Sequence, residues 1–203
     1  MGMSENKPLG IVIPTRWEAK DVLRHFEFKR VASSLFRASI HDRTVLLCIA
    51  GVGRDAAVRA SVRLVASGAH ELVSMGFCGA LVPELHVGDL ITHRVITVNQ
   101  PARTPDERRA LTERANALAV DMETQAVIEA GTRAGVPIRI LRVVSDGFEE
   151  NLTPLLGQDS GFSIWRIALR LINPATWPLA ARLARNSRIA QHRLVDVLEH
   201  ALS

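Results

Sequence analysis

Long apolar runs, paired cysteines and a charged-then-apolar leader are all missing from this sequence, and each absence argues against a class of protein. No stretch is long and clean enough to span a bilayer. Even Leu72 to Val82 is short, with His70 and Glu71 before it and Glu84 after it. Met1 to Lys7 is polar and the first apolar run starts only at Leu9, so no secretory signal is expected. Cys48 and Cys78 are the two cysteines, far apart and without a C-x-x-C or histidine partner spacing. That argues against a disulfide framework or a zinc site and points to a reducing compartment. The expectation is a cytoplasmic protein with no metal, or one peripheral to the inner membrane.

What is present suits a globular fold. The chain has 203 residues, 47% apolar and 23% charged, a balance that supports a sizeable core and argues against disorder. One domain over 1–203 is expected, with 160–203 as a basic helical C-terminal extension. That extension carries Arg166, Arg170, Arg182, Arg185, Arg188 and Arg193 against Asp196 and Glu199, which matches the whole net charge of +4. A solvated helix face accounts for it, as does contact with phosphate or an anionic membrane; nucleic acid is not the expected partner. The stretch 162–185 adds Phe162, Ile164, Trp165, Ile167, Leu169, Leu171, Ile172 and Trp177 to these arginines. It reads either as cover for a sheet or as an interfacial helix.

Strand and helix patterns alternate along the chain. Gly10 to Pro14 is a short β-branched run, read as a buried strand, and Thr15 caps a helix through Arg24. Thr44 to Ala50 is a second buried strand, and Arg54 to Ala66 has helical spacing. Glu71 to Met75 is a third strand, stopped by Gly76 and Gly79. Asp89 to Val98 is a further strand, Asp121 to Ala134 a helix, and Ile138 to Val144 a strand. Several strands are apolar on both faces, the pattern of an α/β fold around a largely buried sheet.

In such sheets ligands bind beyond the carboxyl ends of the strands, and that is where the chemistry-bearing groups fall. Glu18 follows strand one. Gly51, Gly53 and Arg54 follow strand two, a turn that exposes amides to an anion or simply joins a strand to a helix. It lacks the third glycine of a dinucleotide fingerprint, since position 56 is Ala56. Gly76, Phe77, Cys78 and Gly79 follow strand three, Glu123 opens a helix, and Ser145 and Asp146 follow the last strand. The apolar run before Asp146 suits a carboxyl group kept protonated for acid catalysis; Ser-Asp-Gly is equally good turn chemistry.

Four blocks in order resemble the nucleoside phosphorylase/nucleosidase superfamily. Val73-Ser74-Met75-Gly76-Phe77-Cys78-Gly79-Ala80-Leu81, with Val87-Gly88-Asp89 after it, resembles the Ser-x-Gly-x-x-Gly and Val-Gly-Asp block. Ala119 to Thr124 resembles the Met-Glu motif, Arg142 to Asp146 the Arg-x-x-Ser-Asp motif, and Gly51-Val52-Gly53 the turn before the second helix. Trp17-Glu18-Ala19 is similar to the hydrolytic branch, methylthioadenosine/adenosylhomocysteine nucleosidases. The Met-Glu block and Trp177 to Arg185 are similar to hopanoid-associated phosphorylase-like proteins.

The resemblance implies a single three-layer α/β/α sandwich with a central mixed sheet, and cleavage of the N-glycosidic bond of a purine nucleoside. Asp146 would protonate the purine at N7, Glu123 hold the ribose hydroxyls, Met122 pack on the sugar, and Glu18 activate water. Gly76 to Gly79 with Ser145 would line the pocket, and Gly51, Gly53 and Arg54 would hold phosphate in a phosphorylase. It implies no metal or organic cofactor, inorganic phosphate only as a co-substrate of phosphorolysis, and a homodimer or higher oligomer. An adenosylated hopane lipid is one implied substrate. A phosphorylase, and a weakened remnant that binds nucleosides or a protein partner, stand as the alternatives.

One departure is expected to matter. Only Leu90 to Met122 separates the Gly-Asp strand from the Met-Glu block, where the family has a longer stretch with a base-stacking aromatic. Gln100 to Arg114 holds seven charged residues and no aromatic. It reads as a mobile polar loop and short helix that leaves the base pocket open.

Overall fold

The computed structural model describes residues 7–157, 170 and 172–203. Strand β1 (Leu9–Ile13) is wholly buried. Helix α1 (Arg16–His25) follows; Thr15 caps it by accepting the Glu18 amide at 3.2 Å. Then come β2 (Lys29–Ala32), β3 (Leu35–Ile40), β4 (Arg43–Ile49), α2 (Arg54–Ala66), β5 (Glu71–Ala80), β6 (Leu90–Ile91), β7 (Val95–Thr97) and α3 (Pro105–Ala115). The remainder is β8 (Ala119–Asp121), α4 (Thr124–Ala134), β9 (Ile138–Asp146), the short α5 (Thr153–Leu156), a 3-10 turn at Pro174–Thr176 and α6 (Trp177–Leu202).

The sheet is mixed, in the order β2-β3-β4-β1-β5-β8-β7, with β9 on the other edge of β5 and β6 beyond β9. Helices α1 and α6 pack together on one face, where Ile11, Ile13, Met75, Val143 and Leu194 form one core. Helices α2 and α4 pack on the other, over Val12, Leu46, Leu72 and Val127. Burial of both faces explains why these strands are apolar throughout, and the result is the expected three-layer sandwich.

Several elements differ from their sequence expectation. Strand β5 does not stop at Gly76; it runs on to Ala80 because β9 pairs with it along nearly its whole length. The single strand expected over Asp89–Val98 is two, broken at Arg94, which takes φ 54°. Asp121 ends β8 rather than starting a helix, and its carboxylate accepts the Glu123 and Thr124 amides at 3.4 and 3.1 Å. The hairpin of β2 and β3 extends the sheet beyond β4. The polar stretch before β8 is a loop followed by a helix of 11 residues rather than a short one. Thr104 accepts the Glu107 amide at 3.2 Å, Glu107 reaches back to the Arg103 amide at 2.5 Å, and α3 follows from this capping box. Part of the suggested interfacial stretch 162–185 lies outside the described residues.

The pairing of β5 leaves a notch in the sheet. On one edge, β1 pairs with β5 as far as Ser74, and β8 pairs only from Gly79. Over 75–78 that edge of β5 faces neither strand.

Candidate active site

The notch gathers two acidic side chains around one arginine. Glu18 reaches over the end of β1, and its Oε2 accepts the Phe77 amide at 2.8 Å. Its Oε1 accepts the Thr15 hydroxyl at 2.7 Å. Glu123, the cap of α4, accepts the Gly53 amide at 2.8 Å. Between them lies Arg142 of β9, 1% exposed, whose guanidinium bonds Asp121 Oδ2 at 2.9 Å and lies 3.7 Å from Glu123 Oε2. It also donates to Thr124 Oγ1 at 3.0 Å, Ser74 Oγ at 2.9 Å and the Phe77 carbonyl at 3.3 Å.

Gly76 makes this assembly possible. It takes φ +146°, and a Cβ there would strike Glu18 Oε2 and lie 2.9 Å from both Arg142 NH1 and Pro14 Cδ. A side chain at this point of β5 would push the carboxylate and the guanidinium out of the notch.

Burial sets the electrostatics. It raises the Glu18 carboxyl to about 7, against the opposing pull of Thr15, the Phe77 amide and the Arg142 charge. Burial likewise raises Glu123, and Arg142 and the Gly53 amide oppose it. For Arg142 burial works against the charge, but Asp121, Glu123 and Glu18 outweigh it and raise its value. A carboxyl poised near neutrality beside a second one that Arg142 and the Gly53 amide contact suits proton transfer from water next to a developing positive charge.

Asp146 lies farther along β5, opposite Gly79 at a register shift. A Cβ on Gly79 would come within 2.8 Å of Asp146 Oδ2 and 2.9 Å of Arg108 NH1, so this second glycine also keeps space for charged groups. Ser145 Oγ donates to Asp146 Oδ1 at 2.8 Å. The apolar surroundings expected for Asp146 are absent: the Arg108 guanidinium from α3 forms an ion pair with its Oδ2. Arg108 is fully buried and also donates to the carbonyls of Ala80 and Ala102 at 3.0 and 3.2 Å.

Of the residues named from sequence, Glu18, Glu123, Gly76, Phe77 and Gly53 meet in the notch, and Cys78, Gly79, Ser145 and Asp146 continue it along β5. Met122 is half-buried between β8 and α4. Gly51 takes φ +93° and donates to the Pro14 carbonyl at 2.9 Å, and the Gly53 amide serves Glu123. Arg54 pairs with Glu129 on α4. Arg142 and Arg108 had no assigned role. Arg142 stands in the Arg-x-x-Ser-Asp block, which carries a signal of position but not of partner. Arg108 gave none, because an arginine in a polar helix reads as surface.

The sequence model of the phosphorylase superfamily matches residues 8–94 and 92–160, two pieces that meet just before β7, in the stretch read as shortened. No curated protein matches the chain by sequence. Solved structures share the fold. The methylthioadenosine/S-adenosylhomocysteine nucleosidase of Helicobacter pylori aligns over 96% of this chain and 98% of its own, at TM-score 0.71 and 14% identity. The futalosine hydrolase of the same organism aligns over 98% and 100%, at 0.72 and 14%. The S-adenosylhomocysteine nucleosidase of Streptococcus pyogenes, in complex with 5-methylthiotubericidin, aligns over 98% and 99%, at 0.72 and 15%.

Proposed function

The chain belongs to the phosphorylase superfamily, and from that premise we propose that it hydrolyses the N-glycosidic bond of a purine nucleoside and releases adenine. The observation that carries the reading is the Glu18–Glu123–Arg142 cluster in the notch of β5, with Asp146 beyond it at the end of β9, opposite Gly79. As C1′–N9 breaks, positive charge spreads over C1′ and the ring oxygen, and the electron pair leaves on the purine. The Glu123 carboxylate stabilises the sugar cation and accepts its hydroxyls. Glu18, near neutrality in its ionisation, takes a proton from the water whose oxygen bonds to C1′. Asp146, once Oδ2 has exchanged Arg108 for the base and taken up a proton from solvent, delivers that proton to the departing purine at N7.

Two contacts favour water over phosphate as the nucleophile. The Gly53 amide is already bonded to Glu123, and Arg54 is turned to Glu129. The finer reading is a lipid-borne adenosyl group such as adenosylhopane. Ile172 and Trp177, 75% and 59% exposed, stand before the arginines of α6 and support it.

The test is adenine release from a panel of adenosine derivatives, with and without inorganic phosphate. Adenine with a free sugar is expected. Ribose 1-phosphate formed only with phosphate would replace this reading by phosphorolysis, and no release from any substrate would reject both. For the lipid-borne substrate, adenine release should rise when the adenosyl lipid is presented in anionic vesicles to which the protein binds at low salt. Protein that stays wholly in the supernatant rejects it.

A further inference from the structure

Helix α3 is docked by an unusual anchor. Its sequence, PDERRALTERA, is charged along most of its length, and the one side chain it buries fully is Arg108. A helix normally holds to its domain by an apolar stripe. Here the principal attachments are polar: Arg108 on Asp146 and two carbonyls, and Thr112 Oγ1 donating to the Leu81 carbonyl at 2.6 Å. Leu111 adds a partly buried contact. A hollow of about 360 Å³, lined by Gln100, Pro101, Arg103, Leu111 and Arg114, runs along its flank, so that side of the helix is not packed. The Arg108 Nε–H is buried with no acceptor, a cost that a fully satisfied structural arginine does not carry.

We propose that α3 is a gate on the base end of the site: its Arg108 holds Asp146, and a purine gains that carboxylate by displacing the guanidinium and loosening the helix. This rests on the reading of Asp146 as the group that meets the base. The chemistry is a competition at one oxygen. Oδ2 accepts from Arg108 in this arrangement; a purine that offers a proton or an N–H at its N7 edge takes the same lone pair. Binding therefore draws on the fraction of molecules whose gate is open, and a weaker latch means tighter apparent binding.

The experiment measures adenine binding by calorimetry, and amide hydrogen exchange of 105–115, on the full chain and three variants. Arg108→Met removes the guanidinium and keeps a long side chain. Thr112→Val removes the hydroxyl's bonds to the Leu81 and Arg108 carbonyls and leaves the Arg108 guanidinium and the Asp146 carboxylate in place, and so guards against a folding defect in the first variant. Both are expected to bind adenine on the order of tenfold more tightly. Asp146→Asn, with no adenine present, is expected to speed exchange across α3, and adenine is expected to do the same in the unaltered protein. Weaker binding in both Arg108→Met and Thr112→Val overturns the gate, because it shows docked α3 helping the base. Adenine binding with unchanged or slower exchange in α3 overturns the gate and leaves the nucleosidase reading standing. Failure of adenine to bind any form overturns both. Unchanged exchange in Asp146→Asn rejects the latch by itself.

Discussion

At the scale of single residues, Glu18 links stability to pH in a sense opposite to most carboxylates. Its carboxyl rises from 4.5 to about 7 on folding because it is buried. The folded chain thus holds this proton more tightly than the unfolded one, and stability falls as pH rises from 4.5 through about 7. The difference is worth roughly 3 kcal/mol. Glu18→Gln keeps the shape and removes the ionisation. It should unfold at higher urea than the parent at pH 8, with the gap shrinking toward pH 5. The same variant should slow base release by about a hundredfold or more, since the general base is gone. Arg142→Met should act the other way. It leaves Asp121, Glu123 and Glu18 buried without their cation, and a loss of about 3–5 kcal/mol in urea unfolding is expected; a loss under 1 kcal/mol would show that the cluster relaxes into water. Glu18, Glu123 and Asp146 were legible in the sequence because each lies in a motif at a strand end. Arg108 was not, because an ion pair across 38 residues leaves no trace in local spacing.

At the scale of elements, helices were read more accurately than strands. The bounds of α2 agree with the helical spacing, since apolar positions repeat on one face and Gly53 fixes the start. The hairpin β2–β3 escaped because Lys29–Ala32 is mostly exposed and has no apolar alternation to reveal it. Glycine's low strand propensity predicts an end to β5 at Gly76, whereas pairing with β9 overrides that propensity here. The two glycines keep their value in another currency, that of space. Gly76→Ala should lower stability by about 1–3 kcal/mol, and it should also raise the exposure of Glu18, read as loss of the pH dependence described above. For α3 the capping box is the testable device. Thr104→Ala should cost about 1 kcal/mol of helix stability, visible as faster amide exchange confined to 105–115. Unchanged exchange there would mean that the docking contacts of Arg108 and Thr112, not the cap, hold the helix.

At the scale of the whole molecule, the three layers bury both cysteines, and burial raises both thiols above their usual range. Thiolates are the reactive form, so a thiol reagent should label neither Cys48 nor Cys78 in the native protein at pH 7.5. Both should become reactive together across one urea transition if the described residues unfold as a unit. Labelling of Cys78 alone before that transition would mean that the end of β5 opens separately. The layer arrangement was legible because the strands are apolar on both faces. The order of strands was not, since nothing local tells β9 to lie beside β5 rather than β8.

That strand order governs when the site can exist. Arg142 arrives on β9, the last strand among the described residues, and it is the cation that permits Asp121, Glu123 and Glu18 to leave water together. Until the ribosome has released β9, those carboxylates have no counter-charge and the edge of β5 that receives it stands bare. Contacts this distant along the chain are slow to form, and a nascent chain ending before Ile138 has every acidic group of the cluster but none of the means to bury them. Assembly of the site is thereby deferred until β9 has been made, and the period before it is when the exposed edge of β5 is most open to pairing with another chain.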